Sequence, residues 1–439
     1  MKTFLSLSLI LILGTFGLAG AAPQADPDKA LTHVDKPPSK RRPGQPVGLL
    51  LTFHGANGNA GSLVGKAEEM LQKVDARDDY VVIGVKSKEV GWTDKDDEPV
   101  KAFIPWAIKT YSVDPRRVYG FGVSSGAWYL NRFAPANSEL LTGAISYVGG
   151  MGNPPASKAP KSHAELYWVI GHKDDTLPPS RTRPQAEAFF KAGFRAVYRE
   201  MFGHAHEGPK DPTQDEAVHW MRALRNKRVA PSAADQEFLK KFEDPAASAS
   251  ALSTPGTWIR LAAIGGPQAA PAVVQGLTSD RSGTRTYAAQ ACTQVMFDDA
   301  AVDALVPLLE DKETKVRRTA IAALTFQGKW NYAQAQAALS AVARDEKRSE
   351  GDRRAAAQGL AEIVRNDLLG TFLYKESIWT LVGLLGDRDG ALRQTAFQAL
   401  QPVQADAFGY QPAQADGARA KALQRWAEWC EKTCGPRGS

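Results

Sequence analysis

The sequence predicts a doubly wound, mostly parallel α/β sheet followed by an all-α solenoid of paired helices. Three observations predict it. Between residues 47 and 230, short continuous apolar runs alternate with longer stretches of helical periodicity, as strands buried on both faces require when crossover helices cover them. From about Gly256 the strand-like runs stop, and Ala, Leu and Arg recur in paired helical patterns. Within that second part an arginine-centred motif appears four times, the mark of a repeat architecture.

The chain has 439 residues, too many for one ordinary core and enough for two. Its start, MKTFLSLSLILILGTFGLAGAAPQ, gives Lys2, an apolar run from Phe4 to Leu18, and small residues around Ala21 and Ala22. That order is the pattern of a cleaved signal peptide over residues 1–22 and predicts an exported protein, periplasmic or secreted. The apolar run is short for a membrane span and a Pro-rich polar stretch follows it, so no stable membrane insertion is expected after cleavage. Residues 23–46 hold six prolines among charges with almost no apolar periodicity, and are expected to form a disordered linker.

The strand runs are VGLLLTF from Val47, YVVIGV from Tyr80, RVYGFG from Arg117, GAISYVG from Gly143, ELYWVIG from Glu165 and RAVYREM from Arg195. Helical patterns intervene at Gly65–Val74, Val100–Tyr111, Ala186–Ala192 and Asp215–Arg225. Right-handed crossovers place such helices on both faces of the sheet. Residues 231–256 read as a second linker.

The repeats span residues 257–403. TRTYAAQAC, VRRTAIAAL, DRRAAAQGL and LRQTAFQAL put Arg285, Arg317, Arg353 and Arg393 at equivalent positions, in steps of 32, 36 and 40 residues. In three units a leucine, Leu277, Leu309 or Leu385, ends the preceding apolar helix eight residues before the arginine. These antiparallel pairs resemble HEAT repeats, which implies an α-solenoid whose concave surface holds a protein partner or whose stack braces the first domain. Residues 404–439 are expected to supply a capping helix and a tail, with Leu423, Trp426 and Trp429 at helical spacing.

Only three cysteines occur, Cys292, Cys430 and Cys434, so packing rather than a disulfide framework must supply stability. Cys292 falls on an apolar helix face, and a bridge between Cys430 and Cys434 requires the last helix to unwind. The net charge of +6 arises from 54 basic and 48 acidic residues that are interspersed. No nucleic-acid partner is expected from such a mixture.

The sharpest chemical signal is GVSSG at Gly122–Gly126, after a strand run and before the helical AWYLNRF. A serine on a sharp strand-to-helix turn needs small neighbours two residues away on each side, and Gly122 and Gly126 supply them. Ser124 is therefore the expected nucleophile. HGANGNA follows the first long strand, so its loop would lie beside that turn, with the Ala56 and Ser125 amides as the expected oxyanion hole. His54 is expected to order this loop rather than act as a base. WVIGHKDDTLP delivers Asp174 to the same sheet edge as the expected acid, with Asp175 the alternative, and FGHAHEG offers His206 as base, with His204 the alternative. A His-x-His pair also suggests a metal, but no third ligand cluster accompanies it, so neither metal nor cofactor is expected.

The run SVDPRRVYGFGVSSGAW, with HGANGNA upstream and GHKDDTLP and FGHAHEG downstream, resembles the secreted esterases of the α/β-hydrolase superfamily, especially the polyhydroxybutyrate-depolymerase and feruloyl-esterase type. The resemblance covers residues 46–225. It implies a serine esterase with a catalytic triad of Ser124, Asp174 and His206, the Ala56 and Ser125 amides as oxyanion hole, and a small-molecule or polymer-linked ester as substrate. Ala127 departs from the pattern, standing where these esterases commonly carry another glycine. Two other readings follow from the same residues: a serine peptidase of this fold, and a non-catalytic scaffold in which the repeats do the work.

Overall fold

The computed structural model describes residues 31–41, 46–156, 162–201, 203–210, 213–330, 333–364, 375–402, 404 and 406–435, and the signal segment expected over 1–22 lies outside them. Seven strands form one sheet in the order β1-β3-β2-β4-β5-β6-β7. They are β1 (His33–Lys36), β2 (Val47–Phe53), β3 (Tyr80–Val85), β4 (Val113–Val123), β5 (Gly143–Tyr147), β6 (Glu165–Gly171) and β7 (Ala196–Met201). All neighbours run parallel except β1, which lies antiparallel on β3. Every residue of β2, β3, β5, β6 and β7 is buried, which is why these strands read as unbroken apolar runs.

The helices α1 (Val64–Lys73), α2 (Asp97–Tyr111), α3 (Ser125–Ala136), α4 (Pro179–Lys191) and α5 (Thr213–Ala223) cover the sheet. Alternation along the strands sends side chains to two cores. Leu50, Val82, Tyr119 and Val197 pack with α1 and α5 on one face. Leu49, Leu51, Phe53 and Trp168 pack with α2, α3 and α4 on the other. This is the α/β-hydrolase arrangement, and an all-α repeat follows it.

Two segments expected to be linkers carry regular structure. Part of the 23–46 stretch is strand β1, where Val34 pairs with Gly84 while Leu31 just before it is buried. Residues 231–256 hold α6 (Ala233–Lys240) and α7 (Pro245–Leu252). Each begins on a side-chain cap, Ser232 accepting the Asp235 amide and Asp244 that of Ala246. Phe238, Phe242 and Leu252 then bury against the neighbouring helices.

The solenoid consists of α8 (Pro255–Ile264), the pair α9 (Gly266–Leu277) and α10 (Ser282–Ala291), and the pair α11 (Asp299–Leu305) and α12 (Thr314–Lys329). Then come α13 (Ala333–Arg344) with α14 (Glu350–Val364), α15 (Lys375–Leu384) with α16 (Gly390–Leu400), and the terminal α17 (Asp416–Cys434). The recurrent arginine explains its own period. Arg285 grips Asp311 of the next unit at 2.6 and 3.0 Å, Arg317 grips Asp352 at 2.9 Å, and Arg353 grips Asp387. Arg393 instead donates to the Pro412 carbonyl at 2.9 Å, ahead of α17. Three of these arginines also close the turn before their own helix, as Arg285 does on the Ser279 carbonyl at 2.7 Å, Arg317 on that of Asp311 and Arg393 on that of Asp387.

Trp426 is fully buried against Phe408 and Trp429. Cys430 and Cys434 are buried and unbridged on the same unbroken helix. Burial pushes the Cys292 thiol far above its ordinary range, which leaves it an inert core side chain. Among the described residues no helix is long and apolar enough to cross a membrane.

The sheet and the solenoid share one apolar core, running from α5 through Trp258 and Leu261 into the repeats. Polar ties cross the same boundary. Arg195 meets Asp299 at 2.5 Å, Arg199 bonds Glu216 at 2.8 Å and the Lys329 carbonyl at 3.3 Å, and the Met296 amide donates to the Ala223 carbonyl at 3.1 Å.

Candidate active site

Ser124 sits between β4 and α3 with φ 52° and ψ −113°, a conformation non-glycine residues avoid unless their surroundings impose it. The imposition is visible. A Cβ on Gly126 would come 2.0 Å from the Phe53 carbonyl oxygen, and one on Gly122 would come 2.6 Å from the Gly126 carbonyl. The Ser124 amide is anchored to the Tyr147 carbonyl at the end of β5, at 2.9 Å. Ala127 is accommodated because Gly149 lies opposite it, where a Cβ would approach to 2.4 Å.

The loops after β6 and β7 bring two further side chains to this turn. His206 Nε2 lies 3.2 Å from Ser124 Oγ, and His206 Nδ1 lies 2.8 Å from Asp174 Oδ2. Asp174 has a fully buried side chain. Its second oxygen accepts the Thr176 amide at 3.0 Å and the Leu177 amide at 2.7 Å, a local turn that fixes the carboxylate's direction. The two loops touch because β6 ends in glycine: a Cβ on Gly171 would sit 2.0 Å from the Ala205 carbonyl oxygen. The Lys173 amide bonds the His204 carbonyl at 2.7 Å across the same gap.

The alternatives point elsewhere. His204 faces Glu207 at 3.6 Å, and Asp175 is exposed with a 3.4 Å contact to the Thr176 hydroxyl.

The HGANGNA loop packs against the serine, since a Cβ on Gly55 would lie 3.7 Å from Ser124 Cβ. His54 is buried, and its Nε2 accepts the Ser87 amide at 3.1 Å. Its Nδ1 therefore carries the proton, donated to the Gly55 carbonyl at 2.7 Å. That is the loop-ordering role expected of it. Asn57 adopts φ 62° and spends its amide on the Val90 carbonyl at 2.8 Å, so it shapes the turn. The Ser125 amide is the first of α3, where amides have no intrahelical acceptor, and Ala56 lies next to Gly55 on the facing loop.

Two contacts were not foreseen from the sequence. Ser125 Oγ accepts the Trp92 amide at 3.0 Å, and the Trp92 indole donates to the His54 carbonyl at 2.9 Å. Together they pin the 87–93 loop over both halves of the site. Trp92 is buried and Trp106 packs on His33 and Phe103. Trp128, one turn beyond Ser124, is 49% exposed. Gly150 lies between Trp128 and Leu177, its Cβ position 3.4 and 3.8 Å from them, so these residues form an apolar wall beside the turn. Among the described residues no group of three or more His, Cys, Asp or Glu side chains is placed to hold a metal.

A serine hydroxyl, an imidazole and a buried carboxylate are thus joined in one chain of contacts, the kind of arrangement that nucleophilic acyl transfer uses. A family model for HEAT repeats matches residues 270–361. Among solved structures the chain is similar to a Bacillus cereus carboxylesterase, with 17% identity over 44% of this chain and 94% of that one and a TM-score of 0.36. It is similar to esterase PE8, with 15% identity over 44% of this chain and 98% of the other and a TM-score of 0.36. An acetyl xylan esterase from Aspergillus awamori gives 15% identity over 44% and 93% of the two chains, with a TM-score of 0.35. No curated protein matches the chain in sequence.

Proposed function

We propose that the chain is an exported serine hydrolase of carboxylic esters. The observation that carries the reading is the continuous relay from Ser124 Oγ through His206 to the buried Asp174, with contacts of 3.2 and 2.8 Å. In the proposed reaction His206 Nε2 takes the Ser124 proton as Oγ attacks the ester carbonyl, and the Ala56 and Ser125 amides hold the oxyanion, each donor worth about 3–4 kcal/mol in the transition state. His206 then protonates the leaving alcohol. Water, deprotonated by the same imidazole, releases the acid from Ser124. Asp174 holds the ring in the tautomer that leaves Nε2 free to accept.

The half-exposed Trp128 and the neighbouring Leu177 suit an apolar or aromatic acyl or alcohol group, including one on a polymer. The repeats act as a brace in this reading, because they share a core with the sheet; a protein partner on their concave side is the second role open to them. Export would proceed through residues 1–22, and N-terminal sequencing of the mature protein is expected to begin after Ala21 or Ala22.

The test is hydrolysis of short-chain p-nitrophenyl and feruloyl esters by wild type and Ser124→Ala, together with mapping of a fluorophosphonate adduct. Turnover lost in the variant and an adduct on Ser124 are expected. Folded wild-type protein that neither turns over nor reacts would leave the scaffold reading in place.

A further inference from the structure

A cavity of about 940 Å³ separates the amino-terminal edge of the sheet from the first helix pairs. Its sheet-side wall comes from the start of β4, α5 and Arg225, and its solenoid wall from α8, the turn after α10 and the end of α12. Arg116, Arg117, Arg222, Arg225 and Lys329 face it. Four acidic residues also line it: Glu216 and Asp235 are engaged by Arg199 and Arg260, which lie outside the wall, Asp79 lies 3.9 Å from Arg222, and Asp114 accepts the Arg116 backbone amide at 2.9 Å.

Arg116, Arg117 and Arg225 form no ion pair among the described residues. Arg116 rests on the Ile264 carbonyl, Arg225 on the Ala263 carbonyl at 3.3 Å, and Arg117 over the Tyr80 ring at 4.9 Å. Arg116 is 5% exposed, and neither its Nε nor that of Arg117 has a hydrogen-bond partner. A guanidinium cannot shed its proton to escape burial, and although Asp114 also lines the cavity, no described carboxylate pairs directly with these three, so the cavity favours an anion.

A second hollow, of about 230 Å³, adjoins the first and shares Ile259, Ala262 and Gln294 with it. Its other walls include Pro255, Trp258 and Tyr287. Ile259 is 73% and Tyr287 40% exposed, two of the five large apolar side chains left exposed among the described residues. A charged chamber thus continues into an apolar groove.

We propose that this pair of hollows binds an anionic amphiphile, its carboxylate or phosphate head among Arg116, Arg117 and Arg225 and its apolar arm along Ile259 and Tyr287. The site is separate from the ester cleft. Arg117 precedes Ser124 by seven residues of β4, a distance of about 23 Å at the rise of an extended strand.

The experiment is calorimetric titration of the full chain with dodecanoate and dodecyl phosphate below their micelle concentrations, with dodecanol and inorganic phosphate carrying the arm or the head alone. Saturable binding of one amphiphile per chain is expected, at least about tenfold tighter than either half-probe. The tighter of the two amphiphiles identifies the head group. Arg117→Gln and Ile259→Ser should each weaken binding by about fivefold or more, whereas Trp128→Ala, at the ester cleft, should not. Ile259 is solvent-facing, so its variant keeps the test valid if Arg117→Gln fails to fold. Dodecanol or inorganic phosphate binding as tightly as the amphiphiles overturns the proposal, as does binding that survives Ile259→Ser and is lost in Trp128→Ala.

Discussion

Asp174 does not touch the reacting serine, yet it has the most constrained side chain of the three. Two backbone amides hold one oxygen and His206 the other. Asp174→Asn keeps the shape of the loop but presents an amide where a carboxylate fixes the tautomer, and kcat for p-nitrophenyl acetate should fall by about 10⁴-fold. His206→Ala should fall comparably and His204→Ala by less than about threefold, because only the former reaches Ser124. The sequence favours Asp174 over Asp175 and His206 over His204 but leaves both alternatives open. Each pair lies within one loop, and the choice depends on which way the loop turns. The contacts that orient them are the Thr176 and Leu177 amides within the acid's own loop and, for the base, the space above Gly171 at the end of β6.

The elements that could be read in advance are those with a simple burial pattern. Strands β2 to β7 show as apolar runs because both faces are covered, and the paired helices show through the arginine period. Strand β1 is hidden because four mostly exposed residues among prolines carry no such pattern. The α6 and α7 segment looks like a linker because small and charged residues surround its few apolar anchors.

The arginine row carries two predictions. Arg285→Gln removes a bidentate charged contact to Asp311 and a turn clamp, and should lower stability by about 1.5–3 kcal/mol in urea unfolding. The Arg285 hydrogen bond holds the Asp311 carboxyl below its ordinary value of 3.8. A carboxyl lowered in the folded state stabilises above its unfolded pKa and loses that contribution as pH falls through the lowered value. The stability gap between wild type and Asp311→Asn should therefore be full at pH 6 and narrow steadily below about pH 4, as followed by thermal melts.

Across the whole molecule, the shared core makes sheet and solenoid one cooperative body. Trp220 and Leu224 on the sheet side belong to the same apolar cluster as Trp258 and Leu261, and Arg199 joins α5 to the end of α12. Calorimetry of the full chain should give a single transition, and a chain ended at residue 230 should be insoluble or melt well below it, having lost the cover of that face. Two separated transitions would show that the brace is only an appendage.

The row of arginines also has polarity. Each unit reaches forward for an acid that its successor supplies, and Arg393 ends the series on a proline carbonyl. A duplicated unit spliced into the middle would both find an acid ahead and offer one behind, whereas the same unit appended after Arg393 would displace the terminator and strand a guanidinium. Lengthening the stack by internal duplication should therefore be better tolerated than extension past the last unit.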